Sequence, residues 1–311
     1  MPTMTRRERI AGGLFGLLIG DALGVPYEFH PPEHIPALEQ IEFEPPPGFR
    51  RAHASVPPGT WSDDGAQALA LLASLLDMGC FDAEDFGQRL VAWYTQGLFA
   101  VDGHVFDVGV QSAQAIRALM SGIPAAHAGP KEEFSNGNGS LMRVLPLVLW
   151  HAGSDEQLVQ DARAQSVVTH GHMRSQMCCA LYCLWARRIL QEHQQPWQAA
   201  VQSLRELYAP TSREMLELEQ YIQLHNPQVG KGTGYVVDSL ISSYHALQAG
   251  SYEQVVKAAV ALGHDTDTTA CIAGGLAGIR DGVRAIPQRW RRALRSSEMV
   301  EELLGRMKAV V

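Results

Sequence analysis

Helical periodicity is the feature of this sequence that most restricts its fold. From residue 63 onward, apolar residues recur three and four positions apart in nearly every segment, which is the spacing of one face of an α-helix. No segment shows a convincing alternation of apolar and polar residues between turn signals, as a half-buried strand does. The sequence therefore predicts an all-α fold.

The same periodicity predicts where the helices lie. A first helix is expected over residues 6–22, where Ile10, Leu14 and Leu17 share the segment with several glycines and indicate tight packing against a neighbour. Further helices are predicted at 63–76, 83–96, 108–120, 141–150, 154–167, 172–192, 197–208, 213–225, 235–247, 252–262, 267–280 and in a terminal segment through residue 307.

A proline-rich segment interrupts this pattern at about residues 25–59. It holds nine of the 17 prolines, which excludes a long helix or a central strand there. We expect a long surface loop, and such loops in compact domains are often functional. No flexible linker and no repeat of fixed period divides the chain, so a single domain over 1–311 is predicted.

Charge and composition exclude several classes of partner. The formal net charge is -8 and no stripe of Lys and Arg is present, which argues against nucleic acid. The apolar N-terminal run is broken by glycines, ends at Asp21 and has no credible cleavage site, so neither a membrane span nor a secretory signal is expected. The five cysteines show no CxxC spacing and mostly lie in apolar stretches, which is typical of a cytoplasmic protein.

Two acidic clusters stand at the starts of predicted helices, at 62–64 (SDD) and 265–268 (DTDT). Asp, Ser and Thr are common helix caps, and capping is one interpretation of each cluster. Capping does not require neighbouring carboxylates, whose repulsion a cation would offset. Hard oxygen donors without His or Cys suit Mg²⁺ or Mn²⁺ better than zinc. A metal pair held between the two clusters is therefore the functional hypothesis.

A glycine-rich turn at 136–143 (NGNGSLMR) leads into a predicted helix. Backbone amides exposed by such a turn can cradle a diphosphate, which makes Gly137, Asn138, Gly139 and Ser140 candidate phosphate-binding residues. A plain Asn-Gly turn is the alternative interpretation.

These motifs, taken in order with several others, resemble the ADP-ribosylglycohydrolase family, the group that includes dinitrogenase reductase-activating glycohydrolase and the human ADP-ribosylhydrolases. Each motif alone is weak, but their order and number make chance implausible, and they extend from near residue 12 to near residue 285. The matching segments are GDALG (20–24) followed by Glu28, SDD (62–64), FDVG (106–109), NGNGSLMR (136–143), THGH (169–172), GYVVDSL (234–240) and GHDTDTTA (263–270).

The resemblance implies an orthogonal all-α fold around two divalent cations, Mg²⁺ or Mn²⁺. It also implies that Glu28 guards the metals and the scissile bond, and that Asp107 lies beside the cleaved ribose, so that these two are the catalytic candidates. The metal ligands that it implies are Ser62, Asp63, Asp64, Asp265, Asp267 and Thr268.

For other residues the resemblance competes with simpler interpretations. His170 would hydrogen-bond a phosphate or ribose, or else be a helix cap or core residue. Tyr235 would line the ribose or adenine pocket, or else be core. Glu28 is otherwise an exposed loop acid. Asp21 is interpreted as structural, accepting backbone amides of a neighbouring loop, although an outer-shell role beside the metals is open.

The implied activity is hydrolysis of the glycosidic bond between ADP-ribose and a modified protein side chain, arginine in the first instance, with release of ADP-ribose. Serine-linked ADP-ribose, another conjugate, and a non-catalytic ADP-ribose-binding or crystallin-like relative are the alternatives. Three positions depart from the family pattern: Ser62 and Gly65 each replace a usual threonine, and His264 replaces a glycine or asparagine. None removes a predicted metal ligand, but His264 could alter the preferred linkage.

Overall fold

The computed structural model of this chain describes residues 4–223 and 229–307. In these ranges the chain forms 15 α-helices and no strand, which confirms the predicted all-α class. The helices are α1 (Arg6–Gly24), α2 (Asp63–Met78), α3 (Ala83–Gln96), α4 (Val110–Met120), α5 (Ala125–Ala128), α6 (Leu145–Trp150), α7 (Asp155–Val167), α8 (Met173–Leu190), α9 (Pro196–Glu206), α10 (Arg213–Leu216), α11 (Val236–Ala246), α12 (Tyr252–Val260), α13 (Thr266–Asp281), α14 (Gln288–Ala293) and α15 (Ser297–Met307).

Most predicted helices are present, and the differences have local causes. The predicted helix 141–150 begins only at Leu145, because the preceding residues form tight turns closed by Leu141 N and Met142 N on Asn138 O. The short helix α5 was not predicted. The terminal segment divides into α14 and α15. Helix α10 continues as a π-helical turn over Glu217–Ile222, and the last two residues of the predicted helix 213–225 lie outside the described residues.

Helices α1 and α13 pack backbone against backbone. A Cβ atom added at Gly12 would lie 2.1 Å from Gly278 O, and one added at Gly20 would lie 2.1 Å from Ala270 O. At the end of α1, a Cβ on Gly24 would lie 2.3 Å from the Asp267 Cα. This glycine stripe, with one glycine per helical turn, brings the end of α1 against the DTDT cluster.

The close approach predicts opposite results for two Gly→Ala substitutions within helices. Gly20→Ala should lower the free energy of unfolding by about 1–3 kcal/mol or more, because the methyl group collides with backbone atoms of α13 that cannot rotate away. Gly305→Ala in α15 is the control: no atom lies within 4 Å of its Cβ, so we expect it to stabilise by roughly 0.5–1 kcal/mol. Denaturant unfolding of both variants measures the difference, and equal stabilities would contradict the packing.

The proline-rich segment forms a long loop that contains three short 3₁₀ turns. Its anchoring residues, however, are part of the core: Tyr27, Ile41 and Phe43 are buried. The Tyr27 hydroxyl donates to Glu42 O at 2.8 Å and accepts from Glu42 N at 3.0 Å, which ties the start of the loop to its middle. The loop therefore has a defined course and holds Glu28 and His53 in place.

The N-terminal helix and four of the five cysteines also belong to the core. Among the described residues, the stretch Arg6–Tyr27 is long and apolar enough to cross a bilayer by length and composition, and 89% of its most apolar window is buried in this structure. All five cysteines are free; Cys80 is exposed and the other four are buried.

Candidate active site

The start of α2 is fixed to the end of α1 by one buried carboxylate. Asp21 Oδ1 accepts a hydrogen bond from Ser62 N at 2.9 Å, and Asp21 Oδ2 accepts one from Gly65 N at 2.8 Å. Asp21 is fully buried, and burial raises its pKa to about 7. These amide contacts are the structural role predicted for Asp21, and they set the orientation of the SDD turn.

The structure shows the local surroundings of two departures from the family pattern, of which Gly65 has a packing explanation. A Cβ at Gly65 would lie 2.6 Å from Leu18 Cδ2 and 2.8 Å from Trp61 Cγ, so a threonine does not fit beside these side chains. His264 has a φ of +59°, a left-handed conformation that glycine and asparagine adopt more readily. His264 O accepts a hydrogen bond from Phe29 N at 2.7 Å, and His264 N donates one to His30 O at 2.6 Å. These two bonds fix the turn that follows Glu28.

Residues from seven separate segments line one acidic cavity of about 260 Å³. It receives Glu28 from the proline-rich loop, Asp107 from the turn before α4, and the starts of α2 and α13. The predicted site residues among its lining are Glu28, Asp63, Asp64, Asp107, Gly137, Asn138, Gly139, His170, Asp265 and Thr268. Carboxylate oxygens of Glu28, Asp265 and Asp267 also lie within 4.8 Å of one another.

Several carboxylate oxygens in this cluster are buried without a hydrogen-bond partner. They are Asp64 Oδ2 and both oxygens of Asp267. Asp64 Oδ1 accepts from Thr268 Oγ1 at 3.3 Å, and Asp265 Oδ2 accepts from Asn138 Nδ2 at 2.8 Å. An unpaired buried carboxylate is costly unless a cation compensates it. The donor set of oxygens alone therefore fits a hard divalent cation.

Burial and mutual repulsion shift the protonation of the same residues. Burial is the main cause that raises the pKa of Asp63, Asp64 and Asp267 well above the usual carboxyl range. It also raises the pKa of Glu28 to about 10, with neighbouring charges led by Asp107 adding to the shift. Without a cation this cluster holds protons, and a bound cation would displace them.

These shifts predict how the stability of the metal-free protein depends on pH. Because the folded-state pKa values are raised, the folded protein binds protons more tightly than the unfolded chain, whose carboxyls titrate near about 4. The contribution of this cluster to stability is therefore present in acid. It is lost as the pH rises through about 7 for Asp21 and about 10 for Glu28.

Divalent cations should prevent the loss of stability that the metal-free protein shows as the pH rises. Melting temperatures measured in chelator and in Mg²⁺ or Mn²⁺ across the same pH range should diverge as the pH rises, because the ions stabilise the ionised cluster. The comparison at each pH cancels the titration of groups elsewhere in the chain. Superimposable curves would contradict a cation site here.

Glu28 is held by His53, a residue of the proline-rich loop that the motifs did not indicate. Glu28 is 4% exposed, so the exposed-acid interpretation is wrong. His53 Nε2 lies 2.6 Å from Glu28 Oε2 and 4.0 Å from Asp107 Oδ1. Burial lowers the pKa of His53, opposed by the charge of Asp107. Glu28 and Asp107 line the cavity, and His53 lies behind them next to both carboxylates.

Asp63 is oriented by a buried relay that the sequence did not reveal. The Arg143 guanidinium is fully buried and donates to Gln67 Oε1 at 2.8 Å, and Gln67 Nε2 donates to Asp63 Oδ2 at 3.1 Å. Arg143 ends the NGNGSLMR motif and Gln67 lies one turn along α2 from Asp63. This chain of hydrogen bonds can be recognised only in the folded structure, where the two residues meet.

The glycine-rich turn lies beside the acidic cluster. Gln111 Oε1 accepts from Gly137 N at 2.8 Å and Gly234 O accepts from Asn138 N at 3.1 Å, so two of the turn's amides are already bonded. The Ser140 side chain is buried, and its hydroxyl bonds to Ser166 Oγ at 2.8 Å and not toward the cavity. Any contribution of Ser140 to ligand binding is therefore through its backbone.

His170 lies against these glycines. A Cβ on Gly139 would lie 2.8 Å from His170 Cε1, and one on Gly137 would lie 3.4 Å from His170 Nε2. His170 Nδ1 is 2.8 Å from Thr169 Oγ1, and burial lowers the pKa of the ring to about 3, so the imidazole is neutral.

A second cavity of about 420 Å³ adjoins the first and shares Gln111, Gly137 and Gly234 with it. Tyr235, 39% exposed, lines this second cavity, and its hydroxyl accepts from Arg174 Nη1 at 3.3 Å. Phe134 also lines it and is 99% exposed. In the sequence, Phe134 is an isolated phenylalanine in the polar stretch before NGNGS, and it belongs to none of the motifs.

The combination of a glycine-rich turn, a buried carboxylate cluster and this order of motifs matches a known family along the chain. A sequence profile described as ADP-ribosylglycohydrolase matches residues 2–310. The chain belongs to the ADP-ribosylglycohydrolase family. The resemblance predicted from the motifs is thereby confirmed.

Individual ADP-ribosylglycohydrolase relatives are similar to this chain over most of its length. The ADP-ribosylarginine hydrolase Tri1 of Pseudomonas putida is 30% identical over 301 residues, 95% of this chain and 76% of the relative. The ADP-ribosyl-[dinitrogen reductase] glycohydrolase of Rhodospirillum rubrum is 28% identical over 91% of this chain and 89% of its own. A solved structure, an ADP-ribosylglycohydrolase-related protein complex, superposes with a TM-score of 0.79 at 30% identity over 98% of both chains.

Proposed function

We propose that this chain hydrolyses the glycosidic bond between ADP-ribose and a modified protein side chain, arginine in the first instance, and releases ADP-ribose. The observation that carries the proposal is the group of buried carboxylate oxygens without partners, on Asp64 and Asp267, beside Glu28 and the glycine-rich turn. The ADP-ribosylated protein is the substrate, and free ADP-ribose is the product.

Two divalent cations, Mg²⁺ or Mn²⁺, are the proposed cofactors. Ser62, Asp63 and Asp64 would hold them from the start of α2, and Asp265, Asp267 and Thr268 from the start of α13. Bound ions of this kind supply positive charge and orient hydroxyl oxygens. Asp267 is the strongest candidate ligand, because no hydrogen bond in the described structure occupies either of its oxygens.

The remaining roles follow the order of residues along the two cavities. Phe134 and Tyr235 would bind the adenosine end, and the turn from Gly137 to Ser140 would bind the diphosphate beside the neutral His170. The cleaved ribose would then lie at the acidic cluster, with its C1″ toward Glu28 and Asp107.

Glu28 is proposed to move the proton at the scissile bond. Its raised pKa keeps a proton on the carboxyl group in the absence of a cation, and His53 Nε2 at 2.6 Å is positioned to exchange that proton. Asp107, 22% exposed at its side chain, would contact the ribose beside the leaving group. Arginine is preferred as the linkage because a relative covering nearly the whole chain carries the name ADP-ribosylarginine hydrolase.

The test is release of ADP-ribose from arginine-, serine- and acidic-residue-linked substrates, with Mg²⁺, with Mn²⁺ and after exhaustive metal stripping, followed by mass spectrometry. We expect release from the arginine-linked substrate only when a divalent ion is present. Full activity after metal stripping would overturn the metal site. Binding of ADP-ribose without release from any linkage would instead support the non-catalytic alternative.

A further inference from the structure

A cluster of aromatic side chains lies at the edge of the active site formed by Glu28 and Asp107. The ring centroid of His53 is 5.5 Å from that of Phe29 and 5.1 Å from that of Phe106, and His104 stacks on Phe106 at 5.9 Å. We call Phe29, His53, His104 and Phe106 the aromatic ledge. None of the four lines either of the two cavities described above.

The ledge adjoins the two catalytic candidates, Glu28 and Asp107. Phe29 follows Glu28 in the chain, Phe106 precedes Asp107, and His53 contacts both carboxylates. The second cavity, with Phe134 and Tyr235, adjoins the first at the glycine-rich turn and includes neither carboxylate. With the C1″ of the ribose at Glu28 and Asp107, as proposed above, the acceptor group would lie next to the ledge.

The backbone conformation of the ledge and of the neighbouring Asp107 costs free energy of folding that packing does not recover. Phe29 is 69% exposed and has a φ of +64°, and His53 and Asp107 also have left-handed backbones, at +47° and +52°. A left-handed non-glycine residue costs roughly 1–2 kcal/mol, and an exposed phenylalanine recovers little of that through burial. Such strain concentrates at ligand-binding positions.

We propose that the aromatic ledge is the acceptor subsite and that it binds a planar, delocalised cation, the guanidinium group of an ADP-ribosylated arginine. This inference rests on the proposed function and adds the residues that select the linkage. A guanidinium stacks on aromatic faces and pairs with carboxylates in its plane. Here the exposed ring of Phe29 packs on His53, which lies next to Glu28 and Asp107. The hydroxyl oxygen of a serine acceptor carries no charge and no planar surface to use this arrangement.

The test compares Phe29→Leu with a matched control, Phe134→Leu, at the other end of the cleft. Phe29→Leu keeps an apolar side chain but removes the ring, and it should lower the ratio of kcat/KM for arginine-linked over serine-linked substrate about two- to fivefold. Phe134→Leu should weaken both substrates by the same factor, because both carry the same adenosine. Phe29→Tyr keeps the ring and should retain the wild-type ratio.

A binding measurement makes the result independent of turnover. Methylguanidinium titrated by calorimetry into the full-length protein with Mg²⁺ and ADP-ribose should bind two- to fivefold more weakly to Phe29→Leu than to wild type. Methylguanidinium binding unchanged by Phe29→Leu, or an unchanged linkage ratio in a variant with the wild-type melting temperature, overturns the proposal. If the wild type releases ADP-ribose from no substrate, the proposed function fails, and the methylguanidinium titration still decides the subsite.

Discussion

Asp267→Asn should reduce the release of ADP-ribose by more than about a hundredfold and leave the fold intact. Outer-shell partners of metal ligands are each worth roughly 10- to 100-fold, and a direct ligand should exceed that. Asparagine keeps the shape of the side chain but loses its charge. The substitution removes no hydrogen bond, because both oxygens of Asp267 lack a partner. The effect is measured as kcat/KM at saturating Mg²⁺ or Mn²⁺.

A capping role for Asp267 predicts a different result, and Asp82 supplies the comparison. Asp82 caps α3, accepting from Asp85 N at 2.9 Å, so Asp82→Asn should be nearly neutral because asparagine caps as well as aspartate. In chelator, Asp267→Asn should raise the melting temperature at a pH high enough to ionise the cluster, since it removes an uncompensated buried charge there, and it should weaken the stabilisation by divalent ions. Near-wild-type turnover would eliminate Asp267 as a ligand.

Glu28→Gln should lower kcat by about a hundredfold or more, the range expected when a general acid or base is lost, and leave the affinity for free ADP-ribose nearly unchanged. Glutamine has the same size and can still hydrogen-bond His53, so the loop should keep its course. Single-turnover release and calorimetric binding of ADP-ribose measure the two quantities. A silent Glu28→Gln would mean that this residue does not handle the proton.

Gly139→Val should produce the opposite signature. Its Cβ would lie 2.8 Å from His170 Cε1 and 3.2 Å from Ser112 Oγ, so the turn and the histidine must separate. Losing amide contacts to a charged diphosphate should weaken ADP-ribose binding about tenfold or more, while some turnover survives at high substrate. If both variants showed the same change, the division between a diphosphate cradle and a proton-handling edge would be wrong.

The all-α class and most helices were predictable because helical spacing and capping signals are local. The helix predicted at 141–150 was too long, because residues 141–144 are held in turns by Asn138. Helix α5, a four-residue segment, is too short to produce a periodic pattern. The acidic clusters and the glycine-rich turn were recognised as motifs, and the structure brings both to one cavity.

The side chains that support these motifs could not be predicted, since they act across long sequence separations. His53 meets Glu28 across 25 residues, and Arg143 meets Gln67 across 76. Neither separation corresponds to a helical or strand periodicity, so no sequence pattern predicts these contacts. Phe29 and Phe106 adjoin motif residues in the chain, but an isolated phenylalanine is more often core, and only the exposure of Phe29 distinguishes it.

The sequence by itself determined the helices, the chemistry available at their starts and the glycine stripe that lets α1 approach α13, because these depend on residue type and local spacing. Only the tertiary structure decided which carboxylate oxygens lack partners and which residue holds Glu28. Those properties depend on burial, because distant parts of the chain supply the neighbours that bury each residue. Asp64 and Asp267 occupy helix starts that resemble ordinary caps in the sequence, but the packing around them leaves Asp64 Oδ2 and both oxygens of Asp267 without a hydrogen-bond partner.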